Sequence, residues 1–257
     1  MKSHRITGRN PAKEFVPFLC LLGLCMAACA GCSRHVEAQA NNTLSEAEKK
    51  EGWRLLFDGE DLSPYQVFGS PVAGLDRWSV QGDTLSLASK PEGSKSKLDL
   101  IITEKPIEDF ELSFEWNISP GGNGGVIYLV KEGLEYQLAW HTGLEMQLID
   151  NDAYKGKLNH KNQNGDLYGL VSSSIDSTKP AGEWNHSRII RKGNFIEHWM
   201  NGDLAVSIEM GTDDWKKRVS GSKFAPWPEF GKMKEGNIIL QDHGDSIAFR
   251  NLKLKEL

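Results

Sequence analysis

Beyond residue 32 the chain contains no cysteine: its four thiols, Cys20, Cys25, Cys29 and Cys32, all lie near the start of the 257 residues. Disulfide staples and cysteine nucleophiles are therefore excluded from everything downstream. A basic stripe is also missing, and the formal net charge is −5, which excludes nucleic acid as the expected partner. Neither His-x-His nor His-Glu-x-x-His occurs, so a zinc site has no support in the spacing. Internal repeats and amphipathic helical stretches are lacking. The one conspicuous apolar run, residues 15–28, is too short to span a bilayer.

That run follows Lys2, Arg5, Arg9 and Lys13 and leads into small residues and cysteines, which is the pattern of an export signal over residues 1–28. Small residues before Cys29 and before Cys32 resemble a bacterial lipobox, with Cys29 preferred as the lipidated residue and Cys32 as the alternative. The usual leucine three positions upstream is absent from both. The expectation is an exported lipoprotein, held by a lipid anchor on the periplasmic side or the surface of the outer membrane. Residues 29–50 are polar and read as a tether with a short helix near Ser45. The folded domain is expected over residues 51–257.

Within that domain, short apolar segments alternate with turn residues, the pattern of an all-β sandwich. Residues 110–118 alternate cleanly, placing Leu112, Phe114 and Trp116 on one face and Glu111, Ser113 and Glu115 on the other. Residues 144–150 repeat the pattern, with Leu144, Met146 and Leu148 inward and Glu145 and Gln147 together on the opposite face. Asn201-Gly202 joins two further strands as a hairpin turn. The glycine-rich segment 121–125 is not a phosphate loop, since no helix, lysine or Ser/Thr follows it as required. Residues 236–251 read as a closing β-hairpin around Asp242-His-Gly-Asp245, and Gln241, Asp242, His243 and Arg250 are more polar equipment than a turn needs. Segments 151–183 and 211–234 read as long loops, the second offering Trp215, Phe224 and Trp227 to a sugar ring.

A set of ordered motifs links these segments. It comprises Gly52-Trp-Arg-Leu-Leu-Phe-Asp-Gly59, Asp109-Phe-Glu-Leu-Ser-Phe-Glu-Trp116, Gly122-Asn-Gly-Gly-Val-Ile127 and Glu145-Met-Gln-Leu-Ile-Asp150. Gly165-Asp-Leu-Tyr168, His198-Trp-Met-Asn-Gly202, Ser222-Lys-Phe224 and Leu240-Gln-Asp-His-Gly244 follow in order, with Phe249-Arg-Asn251 last. Together they resemble the 3-keto-disaccharide hydrolase domain family, formerly a domain of unknown function, over essentially the whole exported domain. One departure is Asn123-Gly124-Gly125, where the family's turn reads Asn-Ser-Gly. The resemblance implies a jelly-roll sandwich of two curved antiparallel sheets, concanavalin A or laminin-G-like. It also implies action on 3-keto sugars and a separate oxidoreductase to install the ketone.

A ketone at C3 acidifies the C2 hydrogen, so a base can remove it and expel the C1 substituent, by elimination or by net hydrolysis once water adds. That chemistry requires a base, a stabiliser for the enolate oxygen and an acid for the leaving oxygen. Glu145 is the expected base and His243 the second catalytic group, as acid or alternative base; Lys223 and Arg250 are expected to stabilise charge. Gln147, Asp150, Glu115, Asn123, Tyr168, His198 and Gln241 are the expected hydroxyl contacts. A divalent ion held by Glu145, Asp150 and His243 stays open, as do two other readings. One is a sugar-binding lipoprotein without catalysis. The other is a retaining glycosidase built on Glu145-x-Gln147-x-x-Asp150, which would need carboxylates roughly 5–5.5 Å apart.

Overall fold

The computed structural model describes residues 39–70, 74–95 and 97–257. The export signal, Cys29 and Cys32 lie outside the described residues. Among the described residues, thirteen strands and two α-helices follow one another in the order α1 (Glu46–Lys50), β1 (Arg54–Leu55), β2 (Gln66–Val67), β3 (Trp78–Gln81), β4 (Thr84–Leu87) and β5 (Leu100–Ile101). Next come β6 (Phe110–Ile118), β7 (Asn123–Val130), β8 (Leu144–Ile149), β9 (Asn185–Lys192), β10 (Phe195–Met200) and β11 (Asp203–Glu209). The chain closes with α2 (Asp213–Ser220), β12 (Asn237–Leu240) and β13 (Ile247–Glu256). An eight-stranded sheet runs β11-β10-β9-β6-β13-β4-β3 with β1 on β13, and a five-stranded sheet runs β2-β5-β12-β7-β8, every pairing antiparallel. The fold is the expected all-β jelly-roll sandwich.

The alternation of β6 becomes burial: Phe110, Leu112, Phe114, Trp116 and Ile118 are sealed, and the residues between them are partly exposed. Removing each large apolar side chain from water is worth about 1.5–3 kcal/mol, so this one strand contributes a substantial part of the core. The Asn201-Gly202 turn has φ of +49° and +96°, the left-handed pair that a two-residue hairpin needs. Across the core, Tyr128 of β7 donates its hydroxyl proton to Nε2 of His198 on β10 at 2.9 Å, while His198 Nδ1 donates to the Gly165 carbonyl at 3.2 Å. Burial pushes His198 down to about 4, so it is a neutral core histidine stitching the two sheets together. It is not the substrate contact expected from its sequence.

Three other expectations change. The apparent C-terminal hairpin is a crossover: β12 lies in the five-stranded sheet and β13 in the eight-stranded one, so residues 241–246 pass from one layer to the other. Residues 39–50 are docked rather than tethering. Asn42 exchanges hydrogen bonds with Asn251 at 2.7 and 2.8 Å, Ser45 caps α1, and Lys253 pairs with Glu48 at 2.6 Å. Finally, α2 occupies part of the expected loop 211–234, capped by Thr212, with Asp213 and Asp214 at its positive end and Lys217 and Arg218 at its negative end. Its Trp215 and the following Phe224 are buried, so they serve the core and only Trp227 stays half-exposed.

Candidate active site

The five-stranded sheet has two faces of different character. Leu100, Val126, Leu144, Met146, Leu148 and Leu240 point into the sandwich core. On the other face Ile101, Ile239 and Ile127 form one row across β5, β12 and β7, continued on β8 by Glu145, which sits opposite Ile127. Phe68, Val130 and Ala139 complete this second apolar cluster. One step further along the strands the row turns polar: Asp99, Gln241, Gly125 and Gln147. Gln241 donates its backbone N–H to the Gly125 carbonyl at 2.9 Å, and Gly125 pairs with Gln147.

Glu145 lies across this polar row because Gly125 has no side chain. A Cβ on Gly125 would stand 2.6 Å from Glu145 Oε1 and 3.0 Å from its Cγ. The loop 163–171 runs beside β8 as a further backbone edge, with Gly165 and Tyr168 donating to the Gln147 and Glu145 carbonyls at 2.9 and 3.0 Å. Asp166 pins that loop by accepting from Gln163 and Ser173 N–H groups. Tyr168 is thereby carried to the cleft, where its hydroxyl accepts from Lys223 Nζ at 3.1 Å and its ring lies 4.1 Å from the ammonium. Lys223 itself is placed by Phe224, which stacks on Phe230 with centroids 4.0 Å apart.

The result is a cleft of about 110 Å³ lined by Lys97, Asp99, Asn123, Trp140, Glu145, Gln147, Tyr168, Lys223, Gln241, Asp242 and His243. Burial pushes Glu145 up to about 8, the nearby Asp99 adds to the rise, and Lys223, Gln241 and Lys97 oppose it. Burial likewise pushes Asp99 up to about 7 against the pull of Lys97. His243 stands at the exposed rim, its imidazole lowered by partial desolvation and by Lys97, Lys90 and Lys223, with Asp245 working the other way.

A hydrogen-bond chain assigns the tautomer of His243. Gln147 Nε2 donates to the Gly124 carbonyl at 2.9 Å, an acceptor that cannot be reversed, and to Asn123 Oδ1 at 2.7 Å. Asn123 must then present its Nδ2 to His243 Nε2, 3.3 Å away, so that nitrogen accepts and the proton sits on Nδ1.

Residues 52–255 match a family described as a 3-keto-alpha-glucoside-1,2-lyase-like domain. The chain belongs to that family. A curated 3-keto-disaccharide hydrolase from Bacteroides thetaiotaomicron is 28% identical over 250 residues, covering 88% of this chain and 85% of its own. Among solved structures, a candidate glycosyl hydrolase from Parabacteroides distasonis is 32% identical with a TM-score of 0.78, over 85% of this chain and 100% of the other. A second from that organism is 27% identical with a TM-score of 0.61, over 80% and 99%.

In this family member, seven of the residues singled out from sequence meet in one cleft: Glu145, Gln147, Asn123, Tyr168, Lys223, Gln241 and His243. Four do not. Arg250 and Glu115 pair at 2.6 Å on the solvent face of the eight-stranded sheet, where the Arg250 guanidinium stacks on Trp184 at 4.1 Å. A bulge lies just after Arg250, with Asn251 at φ +52°, and it returns Leu252 and Leu254 to the core. Asp150 is a turn anchor, accepting from Gly121, Asp152 and Ala153 N–H groups and lining a different cleft. His198 is in the core.

Losing Asp150 removes the expected trio of ion ligands, and among the described residues no group of three or more His, Cys, Asp or Glu is placed to hold a metal. The donor set therefore does not fit that metal reading. The retaining pair Glu145 and Asp150 is likewise not assembled.

Sequence reasoning missed Lys97, Asp99 and Trp140 and gave Asp242 no role. Asp242 is the brace of the crossover. Its Oδ2 accepts from Leu98 N–H at 2.8 Å and from Arg77, and its own N–H donates to Asp99 Oδ1 at 2.8 Å. The available signal for Asp99 was its parity with Ile101 at the head of an apolar run.

Proposed function

We propose that this chain cleaves the glycosidic bond of 3-keto-glycosides, with Glu145 removing the proton from C2. The observation that supports this most directly is a buried carboxyl, poised near neutral pH by desolvation, on the floor of a cleft that also holds an ammonium group. Lys223, steadied by the Tyr168 hydroxyl, supplies positive charge for the C3 oxygen as the enolate forms. The Gln147, Asn123 and His243 chain and the Gln241 amide offer fixed donors and acceptors for ring hydroxyls. Expulsion of the C1 substituent gives an enone, and addition of water across C1 and C2 completes net hydrolysis. A separate oxidoreductase installs the ketone.

Incubating the purified chain with 3-keto-lactose or 3-keto-sucrose, with and without a chelator, should release the aglycone sugar while unoxidised lactose and sucrose survive. Binding without turnover, or equal cleavage of the unoxidised sugars, overturns this reading.

We also propose that the protein is an exported lipoprotein, on the strength of the lipobox-like residues before Cys29 and Cys32. Labelled palmitate should enter the wild-type protein in cells and fail to enter Cys29→Ala; labelling that persists in Cys29→Ala and is lost in Cys32→Ala moves the anchor, and no labelling at all removes it.

A further inference from the structure

Elimination at C1 needs a proton for the departing oxygen, and the cleft residues assigned so far supply none. Desolvation and the ammonium groups of Lys97, Lys90 and Lys223 lower the His243 imidazole and disfavour the imidazolium that would serve as acid, and its Nε2 is taken by Asn123. Lys223 is committed to Tyr168 and the enolate side.

Asp99 is differently placed. It stands at the head of β5, 8% exposed, on the same sheet face as Glu145, and both line the cleft. Its Oδ1 accepts the Asp242 N–H at 2.8 Å, which fixes the side chain. Its Oδ2 has no partner among the described residues and is not sealed from the cleft. Strands lie roughly 4.8 Å apart. Glu145, lying over Gly125 on β7, is therefore about two strand spacings, roughly 10 Å, from the Asp99 backbone. Gln241 of β12 stands between them with its side chain hydrogen-bonded to Glu145, and all three residues line the same cleft.

We propose that Asp99 is the proton donor to the glycosidic oxygen, opposite Glu145 as the base; this rests on the 3-keto-glycoside reading above. In the first half, the C2–H bond breaks and its proton goes to Glu145. The electron pair passes through the enolate to form C1=C2, the C1–O1 bond breaks, and O1 takes the proton of Asp99 as the alcohol departs. In the second half the roles exchange. Ionised Asp99 takes a proton from water as the hydroxyl adds to C1, and Glu145 returns its proton to C2. The protein ends as it began, and only water is consumed.

The two carboxyls titrate as a coupled pair in the neutral range, and the reactive form is the one in which the pair holds a single proton and Asp99 carries it. Among the described residues, Lys97, Lys223, Tyr168, His243 and Asp242, itself paired with Arg77, are the charged or titratable groups that line the cleft with them.

The test compares Asp99→Asn with wild type on two substrates: a 3-keto-disaccharide, whose sugar alkoxide leaves poorly, and 4-nitrophenyl 3-keto-glucoside, whose phenolate leaves without a proton. Asn keeps an oxygen for the Asp242 N–H, so the fold should stand, and circular dichroism checks it. Asp99→Asn should lose about a hundredfold or more in kcat/KM on the disaccharide, remain within a few-fold of wild type on the nitrophenyl glycoside, and no longer slow as pH rises above neutral. Equal losses on both substrates, or no loss on either, overturn the assignment while leaving the C2 base in place. Wild-type turnover by Glu145→Gln would sink the underlying reading instead.

Discussion

Glu145→Gln should lower turnover of a 3-keto-disaccharide by about a thousandfold while making the folded protein more resistant to alkali. The loss follows from the removal of a general base, which typically contributes 10²–10⁴-fold. The gain follows from the same burial. Folding raises this carboxyl from 4.5 to about 8, so the folded state holds a proton that the unfolded chain has released. The resulting stability is present in full below 4.5 and is lost as pH rises through 8. Above that, wild type carries a buried carboxylate, a cost on the order of 3–5 kcal/mol, which neutral Gln avoids. Urea titrations at pH 5 and pH 9 should show the two proteins alike at the lower pH and the variant clearly more stable at the higher one. A Glu145→Gln protein that is both active and no more stable at pH 9 would mean that the carboxyl is neither the base nor desolvated.

That coupling of a stability cost to a catalytic role was partly legible from residue order. Alternation over residues 144–149 put Glu145 and Gln147 on one face; the same parity puts Asp150 with Leu144, Met146 and Leu148, a signal passed over when Asp150 was counted among the site residues. Alternation put Glu115 off the core and left the face of Arg250 open, since Leu252 and Leu254 share its parity, but a side chain facing outward belongs to one of two sheets, and strand order is a long-range property that no local period carries. The same limit misled the reading of residues 236–251. Two apolar runs around a polar tetrapeptide look like a hairpin, yet Asp242 is drawn toward Arg77 and Leu98, about 150 residues away in sequence, and the strands part into separate layers. His198 shows the opposite error. A polar residue on the inward parity was assigned to ligand, when the Tyr128 hydroxyl and the Gly165 carbonyl satisfy both its ring nitrogens inside the core. The missed helix α2 was legible in its Thr212 cap and charge order, overlooked because eight residues with little apolar periodicity resemble loop.

Two adjacent glycines give the sharpest test of how the fold builds the site. Neither Gly124 nor Gly125 has a positive φ, so an alanine costs no backbone strain at either position, and the outcome depends on what the added methyl meets. At Gly124 the nearest atom is Ile247 Cδ1 at 3.5 Å, an ordinary contact, and the backbone carbonyl that holds Gln147 is untouched. At Gly125 the methyl would lie 2.6 Å from Glu145 Oε1, 3.0 Å from Cγ and 3.2 Å from Cδ, so the carboxyl must swing out of the position from which it faces the cleft. Displacement of a reacting group by about 1 Å costs on the order of a hundredfold in rate. Gly125→Ala should therefore lose about a hundredfold in kcat with its melting temperature nearly kept, because the atom it displaces ends a flexible side chain rather than belonging to the core. Gly124→Ala and Gly124→Ser, whose Cβ would meet only ordinary contacts, should retain wild-type rates. If both alanine variants turn over the 3-keto-disaccharide at the wild-type rate, the position of Glu145 over Gly125 is not the reactive one; if Gly124→Ala fails as badly as Gly125→Ala, the loss belongs to the strand rather than to the carboxyl.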